Sequence, residues 1–214
     1  DFIKHSRPSA RRFTNAKFNR VRSWHWLDPT HKHLRIDLSQ LQQLFSDLVG
    51  CVSATIVIGK IRDFSPDLVV NAGAYTAVDM AEDEVDLCFR VNAEAPLVLA
   101  EESSRLGACM IHYSTDYVFD GTKDSPYVET DPVNPIAVHA QSKEAGERAL
   151  RERLERHIIL RTSWVFGLQG NNFVKTMVRL AKDRDRLTVV ADQFGGPSSA
   201  RGIAQALLAI AAQH

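Results

Sequence analysis

A chain of 214 residues, 44% hydrophobic and 24% charged, is long enough to bury a full core and has the ordinary make-up of a globular protein. Its formal charge is zero, yet residues 1–35 hold nine Lys/Arg against two acids, so a +7 head precedes a −7 remainder. Three widely spaced cysteines (Cys51, Cys88, Cys109) exclude a disulfide framework and a zinc site, and no run has the length of a membrane span or the form of a signal peptide. A reducing cytoplasm with no metal and no membrane partner is the expectation.

In the head, Arg7, Arg11, Arg12, Lys17, Arg20 and Arg22 are mixed with Phe13, Phe18, Trp24 and Trp26, without helical or strand periodicity. Basic residues among aromatics are one signature of nucleic-acid binding, but no recognisable binding module accompanies them. The expectation for 1–35 is an irregular basic segment with no nucleic-acid partner. The chain begins at Asp1 without a methionine, which points to a fragment. Leu38, Leu41, Leu44, Phe45 and Leu48 recur at helical spacing, predicting a helix over 39–49 that ends at Gly50. Residues 51–64 fit a strand at 56–58 or a helix equally well, and Pro66 ends either one.

From residue 67 strand and helix signals alternate: strand 68–71, helix 83–106 stopping at Gly107, strand 108–114, helix 136–155, strand 157–162, helix 172–182, strand 187–190 and helix 200–212. That order predicts an α/β fold over 36–214, a doubly wound parallel sheet of Rossmann type. Ligands in such sheets lie beyond the C-terminal ends of the strands, and here those ends carry Asn71-Ala72-Gly73-Ala74, Ser114-Thr115-Asp116 and Ser163-Trp164. Thr115 can polarise a carbonyl and Asp116 can fix a polar ligand; equally, such groups can simply cap the next turn. His139 and Lys143 stand four apart on one helix face, and a lysine there can hydrogen-bond a ribose. Spacing alone favours a solvated 141–144 surface.

The runs 71–82, 112–121, 142–147, 161–167, 170–173 and 192–197 together resemble the dTDP-4-dehydrorhamnose reductase family, in the sugar-nucleotide branch of the extended short-chain dehydrogenases. The resemblance covers about residues 67–212. It implies reduction of the C4 ketone of dTDP-6-deoxy-L-lyxo-4-hexulose to dTDP-L-rhamnose with NADPH or NADH, a dTDP-sugar partner and a homodimer as an open option. Thr115 then matches the catalytic hydroxyl and Lys143 the catalytic lysine. Ala74, Tyr75, Thr76 and Tyr113 match cofactor-lining positions, with Asn71 and Lys143 beside them; Thr115, Asp116 and Trp164 match positions that meet the sugar.

Three departures qualify the activity. His139 stands where the family has the proton-donating tyrosine; an imidazole is shorter than a phenol, and Lys143 disfavours its charged form, so activity is expected to drop severely. Residues 1–66 contain only Gly50 and Gly59 and no glycine-rich strand-to-helix turn. Losing two or three diphosphate hydrogen bonds weakens cofactor binding by about a thousandfold or more. Asp37 only faintly matches a position near the adenine. Most of the smaller C-terminal substrate domain is expected to be missing. The alternative is a non-catalytic scaffold on the same fold.

Overall fold

The computed structural model describes residues 24–25, 35–36, 54–191 and 193–213. The head contributes one two-residue antiparallel ladder, β1 (Trp24–His25) against β2 (Arg35–Ile36). The rest of segment 1–35, Asp37 and the helix expected over 39–49 lie outside the described residues. The ambiguity before Pro66 resolves as a helix, α1 (Ala54–Phe64). It closes at Ser65, whose φ of 45° is left-handed and whose N–H returns to the Ile61 carbonyl at 2.8 Å.

The body then runs β3 (Leu68–Asn71), α2 (Val85–Phe89), α3 (Ala95–Leu106), β4 (Cys109–Thr115), α4 (Val138–Arg153) and β5 (His157–Thr162). These strands form a parallel sheet in the order β3-β4-β5, with Asn71 beside His112 and Thr115 beside Thr162. Right-handed crossovers put α3 and α4 on one face, where they pack together. Met110 and Ile111, which point to opposite faces, are both fully buried, so β4 is covered on both sides as the centre of such a sheet must be.

The stretch expected as one helix over 83–106 contains a π turn at Arg90–Glu94. Pro96, at the start of the next helix, has no N–H to offer the Asn92 carbonyl four residues back. α3 ends at Gly107, φ 68°, whose N–H bonds back to the last turn.

The strand expected at 187–190 is not formed; that segment is irregular. Leu187-Thr188-Val189-Val190 has the β-branched composition of a strand, but among the described residues no strand pairs with it, and Val189 and Val190 stay exposed. Propensity supplies no partner for the backbone. Pairing instead joins β6 (Val165–Phe166) to β7 (Ser198–Ser199) in parallel. Two further helices follow side-chain caps: α5 (Phe173–Asp183) after Asn172 and α6 (Ala200–Ala211) after Ser199. No helix among the described residues is long and apolar enough to cross a membrane.

Candidate active site

Two polarity gradients meet between the sheet and α4. On the helix-facing side of β4 the residues run Met110, His112, Ser114, apolar to polar toward the strand's C-terminal end. α4 runs the other way and buries Leu150, Glu147, Gly146, Lys143, Ser142 and His139 at three- and four-residue spacing. The apolar ends coincide: Met110 and Leu150 lie in one cluster with Ala100 and Leu154. The polar ends therefore coincide too. The solvated surface that spacing favoured for 141–144 holds for Gln141, which is exposed, but not for Ser142, fully buried, or Lys143, 3% exposed.

A hydrogen-bonded line crosses the strand ends. The Gly73 N–H donates to Asn71 Oδ1 at 3.0 Å, Asn71 Nδ2 lies 3.0 Å from His112 Nδ1, and His112 Nε2 lies 3.4 Å from Lys143 Nζ. Lys143 Nζ also donates to the Tyr113 carbonyl at 2.6 Å. Asn71, Tyr113 and Lys143 are thus brought together, with His112 as the link.

A second set holds Tyr75. The Asn92 amide accepts from the Tyr75 N–H at 2.8 Å and donates to the Tyr75 carbonyl at 3.1 Å and to Ser142 Oγ at 3.0 Å. Ser142 spends its single proton on the His139 carbonyl at 2.7 Å, so the Cys88 thiol, 3.1 Å away, is the donor of that contact. The phenol of Tyr75 donates to Glu84 at 2.7 Å. Ala74 and Thr76 flank this clamped residue. Gly146 lets α4 reach the π turn, since a Cβ there would sit 2.2 Å from the Asn92 carbonyl oxygen.

At the tip of β4, Thr115 Oγ1 accepts from the Tyr117 N–H at 3.2 Å and donates to Asp116 Oδ1 at 3.0 Å. The Tyr117 ring meets the His139 ring edge-on, centroids 6.2 Å apart. Trp164 stands two residues beyond Thr162, the register partner of Thr115, at a left-handed φ of 44°. Its indole lies against Gly195, where a Cβ would come within 2.9 Å. Register alone relates Trp164 to the other residues.

Burial, seconded by Lys143, pushes the His112 imidazole down to about 3 and the His139 imidazole down to about 4. For His139 the nearby Tyr75 backbone and the Asp116 charge oppose the shift. Burial likewise pushes Lys143 down to about 8 against the opposing charge of Glu147. Behind the site Glu147, fully buried, is gripped by Arg161 at 2.6 and 2.9 Å and by Arg151 at 2.9 Å.

His112, Asn92 and Ser142 were not singled out by sequence reasoning. Asn92 carried the clearest signal, a lone amide on an apolar helix face, where a buried polar group must find partners. A nicotinamide cofactor fits this polar end. His139 Nδ1 is buried without a hydrogen-bond partner, and the Lys143 head can donate more bonds than its partners here use. Of the positions that the resemblance assigns to the cofactor, Asn71, Tyr113 and Lys143 meet at this end, and Tyr75, between Ala74 and Thr76, is clamped beside it.

Residues 35–214 match the family model described as the RmlD substrate binding domain. The chain belongs to that family. It is 48% identical over 178 residues to the dTDP-4-dehydrorhamnose reductase of Aggregatibacter actinomycetemcomitans, covering 83% of this chain and 58% of the relative. To the enzyme of that name from Escherichia coli K12 it is 49% identical over 148 residues, 69% of this chain and 50% of the other. The solved Clostridium acetobutylicum dTDP-4-dehydrorhamnose reductase superposes with a TM-score of 0.75 at 38% identity, covering 81% of this chain and 60% of that one. The Bacillus anthracis reductase, solved in complex with NADP, gives a TM-score of 0.72 at 37% identity over 77% of this chain and 57% of that one. The family thus shares the Rossmann-like architecture described above. The chain spans about half the length of the curated relatives it matches.

Proposed function

We propose that this chain carries the nicotinamide side of a dTDP-4-dehydrorhamnose reductase, reducing the C4 ketone of dTDP-6-deoxy-L-lyxo-4-hexulose to dTDP-L-rhamnose with NADPH or NADH, weakly in this form. The observation that carries the reading is the burial of Lys143 at the strand ends, tied to Asn71 and Tyr113 and one helical turn from His139. Its relatives bear the reductase name, and one of the similar structures was solved with NADP.

When bound, the reduced nicotinamide supplies the hydride. The protein supplies position and a proton. The Asn92 clamp fixes the Tyr75 backbone, and with it residues 74–76, against α4. In this reading Thr115, now donating to Asp116, would polarise the ketone, and Asp116, buried in the present arrangement, would receive sugar hydroxyls. Trp164 would form the sugar-facing wall.

His139 occupies the proton donor's place but is neutral near pH 7, because burial and Lys143 both work against its charged form. A neutral imidazole is a poor acid, which is the physical ground for weak turnover. His139→Tyr tests this. Ketone-dependent NADPH oxidation should rise by about a hundredfold, the usual contribution of one positioned acid; an unchanged rate would remove His139 from the reaction. The buried thiols Cys88 and Cys109 suit the reducing cytoplasm we propose for the chain. A homodimer belongs to the same proposal, and sedimentation is its check.

A further inference from the structure

The line from Gly73 to Lys143 fixes more than positions. Asn71 Oδ1 accepts the Gly73 N–H, so the amide cannot be turned over without orphaning that bond. Nδ2 must therefore face His112 Nδ1, and an NH2 group is only a donor. His112 Nδ1 is then the acceptor, and its proton sits on Nε2. An imidazolium is excluded by the same contact, because Nδ1–H would face Nδ2–H. The Nε2–H points at Lys143 Nζ, 3.4 Å away, where an ammonium offers only donors and an amine offers a lone pair.

We propose that His112 is a positioning residue whose Nε2–H favours the amine form of Lys143, so that the lysine gives up a proton readily at the strand ends. An ammonium that releases one proton becomes the amine that accepts from His112 Nε2–H; no bond of His112 breaks. The Tyr113 carbonyl takes one Lys143 N–H in either form. The other groups facing Lys143 are Glu147 and His139 on α4 and Cys88 on α2. Glu147 favours the ammonium, but it is already held by two arginines. The downward shift of Lys143 agrees with the geometry. In a site whose phenol is replaced by a neutral imidazole, a labile lysine proton is the one that can serve a ketone. That consequence rests on the reductase reading; the tautomer does not.

Long-range 1H–15N NMR of the uniformly labelled chain reads the tautomer with neither cofactor nor sugar present. The expected result at pH 7 is the neutral Nε2–H form of His112; an Nδ1–H form or an imidazolium would overturn the inference. Asn71→Asp supplies the second arm, since a carboxylate accepts from both the Gly73 N–H and an Nδ1–H. It should move the His112 proton to Nδ1, free Nε2 as an acceptor, and raise the pH midpoint of Lys143 acetylation by about one unit. Repeating it with His112→Phe isolates the effect of the added charge. Equal midpoint shifts in the two backgrounds would overturn the relay. Should Asn71→Asp fail to fold, the wild-type tautomer still decides. Loss of NADPH turnover with the Nε2–H tautomer intact would count against the reductase reading alone.

Discussion

The contact between β4 and α4 has two ends built on different physics. At one end Met110 lies among Ala100, Leu150 and Leu154, and the attraction is non-directional. One pleat along the strand and two turns back along the helix, His112 faces Lys143, and each group there needs a particular partner in a particular protonation state. The apolar end tolerates exchange of one hydrocarbon for another. The polar end tolerates little, because a lost partner leaves a buried group unsatisfied. The lesson is that α4 is held in place by its apolar turns and by Gly146, and the site takes its geometry from that hold.

The largest effect expected is at the joint between the two ends. In Gly146→Ala the new Cβ meets the Asn92 carbonyl oxygen at 2.2 Å, and that oxygen belongs to backbone. Urea unfolding should show a loss of about 3 kcal/mol or more. Gly59→Ala is the control, on a helix where an added Cβ meets nothing within 4 Å, and should be neutral or stabilising by about 0.5–1 kcal/mol. Equal effects would break the picture of a tight α4 crossing.

Next comes the buried ion pair. Arg161→Met leaves Glu147 with Arg151 as its remaining arginine partner and should cost about 3 kcal/mol at neutral pH. Arg161 and its other partners hold the Glu147 carboxyl below its ordinary range. That stabilisation is present above the unfolded value and is lost as pH falls through the folded one. The penalty of Arg161→Met should therefore shrink in acid, where Glu147 takes up a proton. A penalty independent of pH would show that the arginine acts by packing alone, through its contact with the Phe119 ring.

A change of slope, rather than of overall stability, separates the ends by titration. His139 and His112 are held neutral below their unfolded value of 6.5, at about 4 and about 3. The unfolded chain therefore binds more protons between these limits, and stability should fall as pH drops from 6.5 toward 4. His139→Phe should flatten that slope, whereas Leu150→Ala should lower stability by about 2–5 kcal/mol without changing its pH dependence. A slope unchanged by His139→Phe would place the histidine in solvent.

The elements from Leu68 to Thr162 were legible in the sequence because their apolar periods are strong and Gly107 marks a helix end. Asn71, Tyr113, Thr115 and Lys143 were named because they lie at strand ends or match family motifs, and the structure brings Asn71, Tyr113 and Lys143 together through His112. What escaped has a common cause. The inner face of α4 is polar, so periodicity could not tell it from a solvated one; the π turn at Arg90–Glu94 breaks the helical period on which Asn92 would have been placed. The false strand at 187–190 had the right composition and lacked a neighbour. Trp164 was found as a residue, but its hold by Gly195 is visible only in three dimensions.

We propose that the nicotinamide cofactor is held at the polar end of the β4–α4 contact. Titration of NADPH into the 15N-labelled chain tests it most directly. The account predicts saturable shifts of the Tyr75, Tyr113 and Thr115 amides, abolished by Lys143→Met while the fold is kept. Shifts confined to other surfaces, or persisting undiminished without the Lys143 amine, would contradict it.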